Sequence, residues 1–297
     1  RLVAGNDDAY GWLSALLAAA ATLFCIWGTL TVIDRLPKAD GGSGGLGLRK
    51  TVDDFWVALG NHNFRVSIGT NLAFGMAAGV YATLSLYMGT YFWEFSSTQL
   101  AGLVLPTALA TLIAFAVLNK LGERFDKPTL IQLCSLGIAI NTLWFVGARL
   151  LGLLPENGHA IIYPLQLLNT GLAVFVVVCL QTISAALTAD ILDENDGATG
   201  RRQEGVVFAA GAFILKATSG VGTVVAGTII EIADIQTGTE PGDVPMASLN
   251  MLGGFMIAVI GILAFVAYLF ARHLKLSRED HERIRRELAQ RVQPTSA

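Results

Sequence analysis

The chain has 297 residues, of which 53% are hydrophobic and only 14% charged, with a formal net charge of −3. Soluble domains average about 25% charged residues, so the composition excludes an ordinary water-soluble globule. The mean hydropathy is +0.57. The acidic balance excludes a nucleic-acid binder, which needs a basic face. Cys25, Cys134 and Cys179 all lie in apolar runs, where they read as small buried hydrophobes rather than disulfide partners.

A helix needs about 20 apolar residues to cross the hydrocarbon core. Seven segments qualify: Tyr10–Ile33, Val66–Trp93, Phe95–Asn119, Pro128–Ala148, Ala160–Ala189, Gly205–Ile230 and Val244–Ala271. Backbone groups in lipid must be satisfied within the segment, so helices are expected. The runs are too continuous for the alternating strands of an outer-membrane barrel. The expected fold class is therefore an all-α membrane protein.

The charges set an orientation. Of 20 Lys and Arg residues, seventeen fall on one side of this topology, two (Arg1 and Arg149) on the other, and Lys216 within the sixth span. Basic loops stay inside, which puts the C-terminus in the cytoplasm and, with seven spans, the N-terminus outside. The chain opens on Arg1 with no export signal. The expectation is a longer protein, with an odd number of helices upstream.

In chain order, residues 1–33 read as one helix closing an N-terminal bundle. Residues 34–65 form a cytoplasmic linker, with the Gly/Ser-rich stretch Gly41–Gly47. Within it Val52, Phe55, Trp56 and Leu59 recur at helical spacing, which fits either an interfacial helix over Arg49–Gly60 or a solvated loop. Residues 66–272 form a six-helix bundle. Residues 273–297 form a tail helix, in which Glu279–Arg283, Glu282–Arg286 and Glu287–Arg291 are spaced i,i+4.

Lys216 is the most informative residue. A cation at mid-span costs about 2.5–3.5 kcal/mol and normally faces a bundle interior or a water-filled path. Ser219, Gly220 and Thr223 share its helical face, with Ala212 and Ala209 one and two turns earlier. The seven spans offer no carboxylate at its depth, so its partner is a group outside this chain, a ligand or water. Weaker polar stripes are Gln181, Ser184 and Thr188 in the fifth span, and Asn71, Tyr81 and Ser85 in the second. Each serves either ligand contact or helix–helix adhesion.

The segment Asp190–Gly205 is the densest charged cluster. Asp190, Asp193, Glu194, Asp196 and Glu204 share a short loop with Arg201 and Arg202, which fits an ion-pair network at the cytoplasmic mouth. A calcium loop from Asp193 to Glu204 fails, with Gly197 and Ala198 at its fifth and sixth positions. There is no nucleophile elbow, phosphate loop or metal-ligand spacing, so nothing supports enzyme chemistry, a cofactor or a bound metal.

These motifs carry a resemblance. Asp190-Ile-Leu-Asp193, then Thr199-Gly200-Arg201-Arg202-Gln203-Glu204-Gly205, then Lys216 twelve residues after Glu204, resemble the glycoside–pentoside–hexuronide:cation symporters. This is the melibiose permease-like family of the major facilitator superfamily. The NHNFR segment Asn61–Arg65 and the tail EDHERIRRELAQR agree with it. The resemblance implies helices six to twelve of a twelve-helix transporter in the plasma (inner) membrane. It implies cation-coupled symport of a sugar or glycoside, with Na+ or H+ as coupling ion, and the missing N-terminal bundle and membrane lipid as partners. It implies that Lys216, with Ser219, Thr223, Gln181, Ser184 and Tyr81, lies near substrate and cation. It also implies that Asp190, Asp193, Arg201, Arg202 and Glu204 form a network stabilising the outward-facing state. Gln181 stands where melibiose permease carries an aromatic. Two other classes remain open: a lipid-moving or non-transporting relative of the same fold, and a seven-helix retinal protein with Lys216 as Schiff-base lysine.

Overall fold

The computed structural model describes residues 7–33, 48–199, 204–235, 239–276 and 283. The Gly41–Gly47 stretch and nearly all of the expected tail helix lie outside the described residues, as do Arg201 and Arg202. Seven helices are long and apolar enough to cross a membrane among the described residues. The chain divides into two compact units, Arg1–Gly47 and Leu48–Ala297.

The first unit holds α1 (Asp7–Ile33). At 1.5 Å per residue its 27 residues extend about 40 Å, enough to span a bilayer. Its hydroxyls are consumed internally. Ser14 donates to the Gly11 carbonyl (2.9 Å), Thr22 to Ala18 (2.8 Å) and Thr29 to Cys25 (2.8 Å). A hydroxyl bonded back to its own helix presents no unsatisfied donor to lipid.

The second unit begins with α2 (Leu48–Gly60), so the segment that fitted either a helix or a loop is a helix. Ala58 is buried, and the Phe55 ring meets Phe64 edge-on at 6.3 Å. The bundle follows: α3 (His62–Tyr87), α4 (Ser97–Gly102), α5 (Val104–Arg124), α6 (Lys127–Leu150), α7 (Ile162–Thr199), α8 (Glu204–Ile232) and α9 (Met246–Ala271). Asn61 starts α3 by accepting the Phe64 amide through Oδ1 (3.1 Å). In space, α3 lies between α8 and α9, α6 between α9 and α7, and α7 between α6 and α5.

Two details correct the sequence-based spans. The third expected span runs as one candidate span from Ser97 to Arg124, with a turn at Leu103 that divides it into α4 and α5. Ser96 starts the short helix through a capping box with Gln99 (2.9 and 3.3 Å). The charged segment read as a loop from Asp190 is helical as far as Thr199. Leu187 and Ile191 continue the buried face of α7 past the apolar run, so packing carries the helix into acidic sequence.

The centre of the unit is the α3–α8 crossing. A methyl group at Gly79 would overlap the Ser219 carbonyl oxygen. One at Gly75 would overlap the Thr218 hydroxyl, and one at Gly222 the Met76 carbonyl. The two backbones are therefore in direct contact, as small residues permit. Two apolar clusters lie on either side along the bundle. One, around Phe64, Ile131, Leu187 and Leu274, sits at the end carrying Arg65, Lys127 and Lys275, the basic end. The other, around Leu84, Phe92, Phe145 and Leu252, sits at the opposite end, where Trp93 stacks on Phe145 at 4.2 Å.

Gly79→Ala should therefore destabilise the bundle by about 1–3 kcal/mol. Gly227→Ala, where an added methyl meets nothing within 4 Å, should be neutral. Thermal unfolding in detergent compares the two. Equal melting temperatures would show that the crossing tolerates a side chain.

Candidate functional site

The packing of α8 decides where its polar residues go. Thr218, Gly222, Ala226 and Ile229 are buried toward α3. The remainder of the helix has two exposed stripes. One is apolar, with Phe213, Val221 and Val224. The other carries Lys216, Gly220, Thr223 and Gly227, and added methyl groups at both glycines would meet nothing within 4 Å. Lys216 is exposed, twelve residues into a 29-residue helix, and no described residue makes a hydrogen bond or ion pair with it. Ser219 is half-buried beside it. The Thr223 hydroxyl donates to the Ser219 carbonyl (3.2 Å), so it faces any ligand as an acceptor.

The other expected site residues separate into two groups. Gln181 is exposed and Ser184 half-buried, and Thr188 donates to the Ser184 carbonyl (2.8 Å). Tyr81 lies elsewhere, toward the Trp93 end. It lines a cavity of about 290 Å³ together with Ser85 of α3 and Gln166, Asn169 and Thr170 of α7. Lys216, Ser219, Thr223, Gln181 and Ser184 are not part of that lining. The three α7 residues stand at i, i+3 and i+4, a polar stripe that was legible in the sequence and passed over. Gln166 donates to the Thr170 hydroxyl oxygen (3.1 Å).

The apolar wall of the cavity is fixed from outside. The end of α3 continues as a π-helical turn, Met88–Phe92, whose Met88 and Gly89 border the cavity. Asn157 Nδ2 donates to the Phe92 carbonyl (3.0 Å) and to Glu94 Oε1 (3.0 Å), across the turn. Glu94 takes a left-handed backbone conformation, φ +53°, which reverses the chain there.

At the basic end, the charge cluster has partners that sequence spacing did not point to. Asp190 pairs with Lys127, 63 residues earlier at the start of α6. Glu194, one turn along α7, accepts from Asn61 Nδ2 (3.1 Å) and Asn63 Nδ2 (3.0 Å). Asn63 in turn accepts the Lys275 amide (2.9 Å), which ties the chain after α9 to the same point. Four helix ends thus meet around two carboxylates. Asp193 is half-buried nearby on α7, and Glu204 opens α8. The part of the expected network contributed by Arg201 and Arg202 lies outside the described residues.

Residues 8–278 match the family described as MFS/sugar transport protein. The chain belongs to that family. It is an integral, multi-pass membrane protein of the transporter class, which separates it from the retinal-protein alternative. No curated protein matches the chain.

For a transporter bundle of this family, the geometry supplies three elements: a cation with no partner among the described residues on a small-residue stripe, a largely apolar cavity edged by uncharged polar groups, and a carboxylate-centred junction of helix ends. The Asp190–Lys127 pair is partly withdrawn from water (11% and 36% side-chain exposure), so changing either partner disturbs the other. Asp190→Asn and Lys127→Gln should each lower thermal stability slightly, and the double variant should lose less than the sum. Strictly additive losses would show that the two side chains are not coupled.

Proposed function

We propose that the protein is a secondary symporter that moves a sugar or glycoside with Na+ or H+ by alternating access. The observation that carries this reading is Lys216, which stands exposed on a small polar stripe in the middle of a spanning helix of a sugar-transport family member. A buried-depth cation without a counter-charge is costly, and such residues mark ion or substrate paths. The stripe beside it, with Gly220, Thr223 and Gly227, is shaped for close approach rather than for lipid.

In this reading the six spans formed by α3–α9 make up one of two bundles that rock about a midplane site. The second bundle, in this reading, is closed by α1 and carries the carboxylates that bind the coupling ion, as the resemblance to cation symporters implies. Lys216 shares one of those carboxylates. Cation binding frees the lysine to contact substrate, so neither site fills productively alone. Ser219 and Thr223 extend the substrate path from Lys216 toward the Trp93 end, and Gln181 and Ser184 toward the basic end. Asp190, Asp193, Arg201, Arg202 and Glu204 act at that end, the cytoplasmic one by charge asymmetry, as a latch holding the outward-facing state.

The test is ion-gradient-driven sugar uptake by the full-length protein in proteoliposomes. Lys216→Ala should abolish accumulation above equilibrium while the protein remains monodisperse and keeps its melting temperature. Lys216→Arg should retain part of it. Wild-type accumulation by Lys216→Ala would sink the coupling role.

A further inference from the structure

The cavity between α3 and α7 has a chemistry of its own, separate from Lys216. Its lining contains no charged side chain. Among the described residues, the Tyr81 hydroxyl makes no hydrogen bond, and Asn169 Oδ1 is buried without a donor. The Ser85 hydroxyl donates to the Ala82 carbonyl (3.1 Å), which leaves its lone pairs to accept. The Asn169 backbone is held independently, since its carbonyl accepts from Asn141 Nδ2 (3.3 Å). The Asn169 backbone is thus fixed while its side-chain oxygen is unused. A buried acceptor left without a partner costs about 1–3 kcal/mol, and a tolerated orphan of this kind points to a bound molecule that supplies the donor.

The apolar part of the lining, from Trp93, Phe145 and Met256, is held by the Trp93–Phe145 stack. Tyr81 is 40% exposed and Leu86 63%, so the cavity is not sealed. At about 290 Å³ it sits at the lower edge of the usual range for small-molecule pockets, about 300–1,000 Å³. An organic anion or an ammonium ligand would find no counter-charge there. A ligand that both donates and accepts at several points, and carries apolar C–H edges, satisfies the lining.

We infer that this cavity is a binding subsite for a neutral polyhydroxylated ring of one monosaccharide unit, with Asn169 Oδ1 accepting a ring hydroxyl and Tyr81 donating to another. The inference rests on the sugar-transport reading and deepens it. It gives the substrate a station toward the Trp93 end, displaced along the bundle from Lys216. The competing occupant is water, which also satisfies an orphaned carbonyl.

The experiment uses full-length protein in proteoliposomes and a panel of labelled aldohexoses and aldopentoses. For whichever sugar the wild type takes up, Asn169→Leu should raise KM roughly tenfold, the factor expected for one lost hydrogen bond. kcat should change far less, and Asn169→Asp, which keeps the acceptor, should recover most of the affinity. Occupancy of the cavity is checked independently of transport by alkylation. In Ser85→Cys protein, the same sugar should slow maleimide labelling of Cys at that position, read by peptide mass spectrometry. Uptake with unchanged KM in Asn169→Leu, or labelling indifferent to sugar, would assign the cavity to water and overturn the inference while leaving the sugar-transport reading intact. No uptake or binding of any panel sugar by the wild type would overturn both.

Discussion

The backbone contact between α3 and α8 is the constraint on which the rest of the bundle depends. Gly75, Gly79 and Gly222 let the two helices touch without intervening side chains. In lipid there is no hydrophobic force to bring helices together, so close packing has to supply the attraction. The contact also fixes rotation. With Gly222 and Thr218 turned toward α3, Lys216 stands on a different face of α8 from the packing surface. A rotation of α8 would turn the lysine into the direction now taken by the apolar Phe213–Val224 stripe, where its charge has no place. The lysine is tolerated where it is because three glycines hold the helix at one angle.

A second economy governs the polar side chains. Hydroxyl after hydroxyl bonds back to its own helix: Thr70 to Val66, Thr83 to Gly79, Ser135 to Ile131, Thr182 to Val178, Thr188 to Ser184, Thr223 to Ser219. These groups have settled their donors locally and need no partner. The uncommitted ones stand out against that background. Lys216, the Tyr81 hydroxyl and Asn169 Oδ1 are polar groups in the spans that the helices themselves do not satisfy. Recognition chemistry has to be sought among such remainders rather than among polar residues in general.

This also explains how much was legible in the sequence. The spans were, because twenty apolar residues in a row admit few structures. Lys216 was, because one charge in an apolar run needs no alignment to notice. The end of α7 was not. Its acidic residues read as a solvated loop, and the helix persists because Leu187 and Ile191 are buried and because Asp190 and Glu194 find Lys127, Asn61 and Asn63. Those partners lie 63 to 133 residues away, beyond any spacing rule. The Tyr81 stripe was noticed, but grouping it with Lys216 was beyond what helical periodicity can decide. Periodicity assigns a face of one helix and says nothing of which neighbour that face meets or at what depth.

The two ends of the bundle are built on different physical principles, and the difference bears on how it can move. At the Trp93 end the structure is tied by ring stacking and by Asn157 bridging Phe92 and Glu94. Stacked rings do not respond to a nearby ion and the Asn157 bridge closes locally across one turn, so that end keeps its shape, and a cavity within it stays preorganised. At the basic end helices are joined through carboxylates, Asp190 to Lys127 and Glu194 to two asparagines. Charged junctions of this kind can exchange partners when one helix end moves. A bundle rigid at one end and held by exchangeable charges at the other can tilt as a body while preserving its pocket. An α8 pinned by glycines between those ends carries Lys216 with the same body, so the lysine's position relative to the cavity is conserved through such a motion.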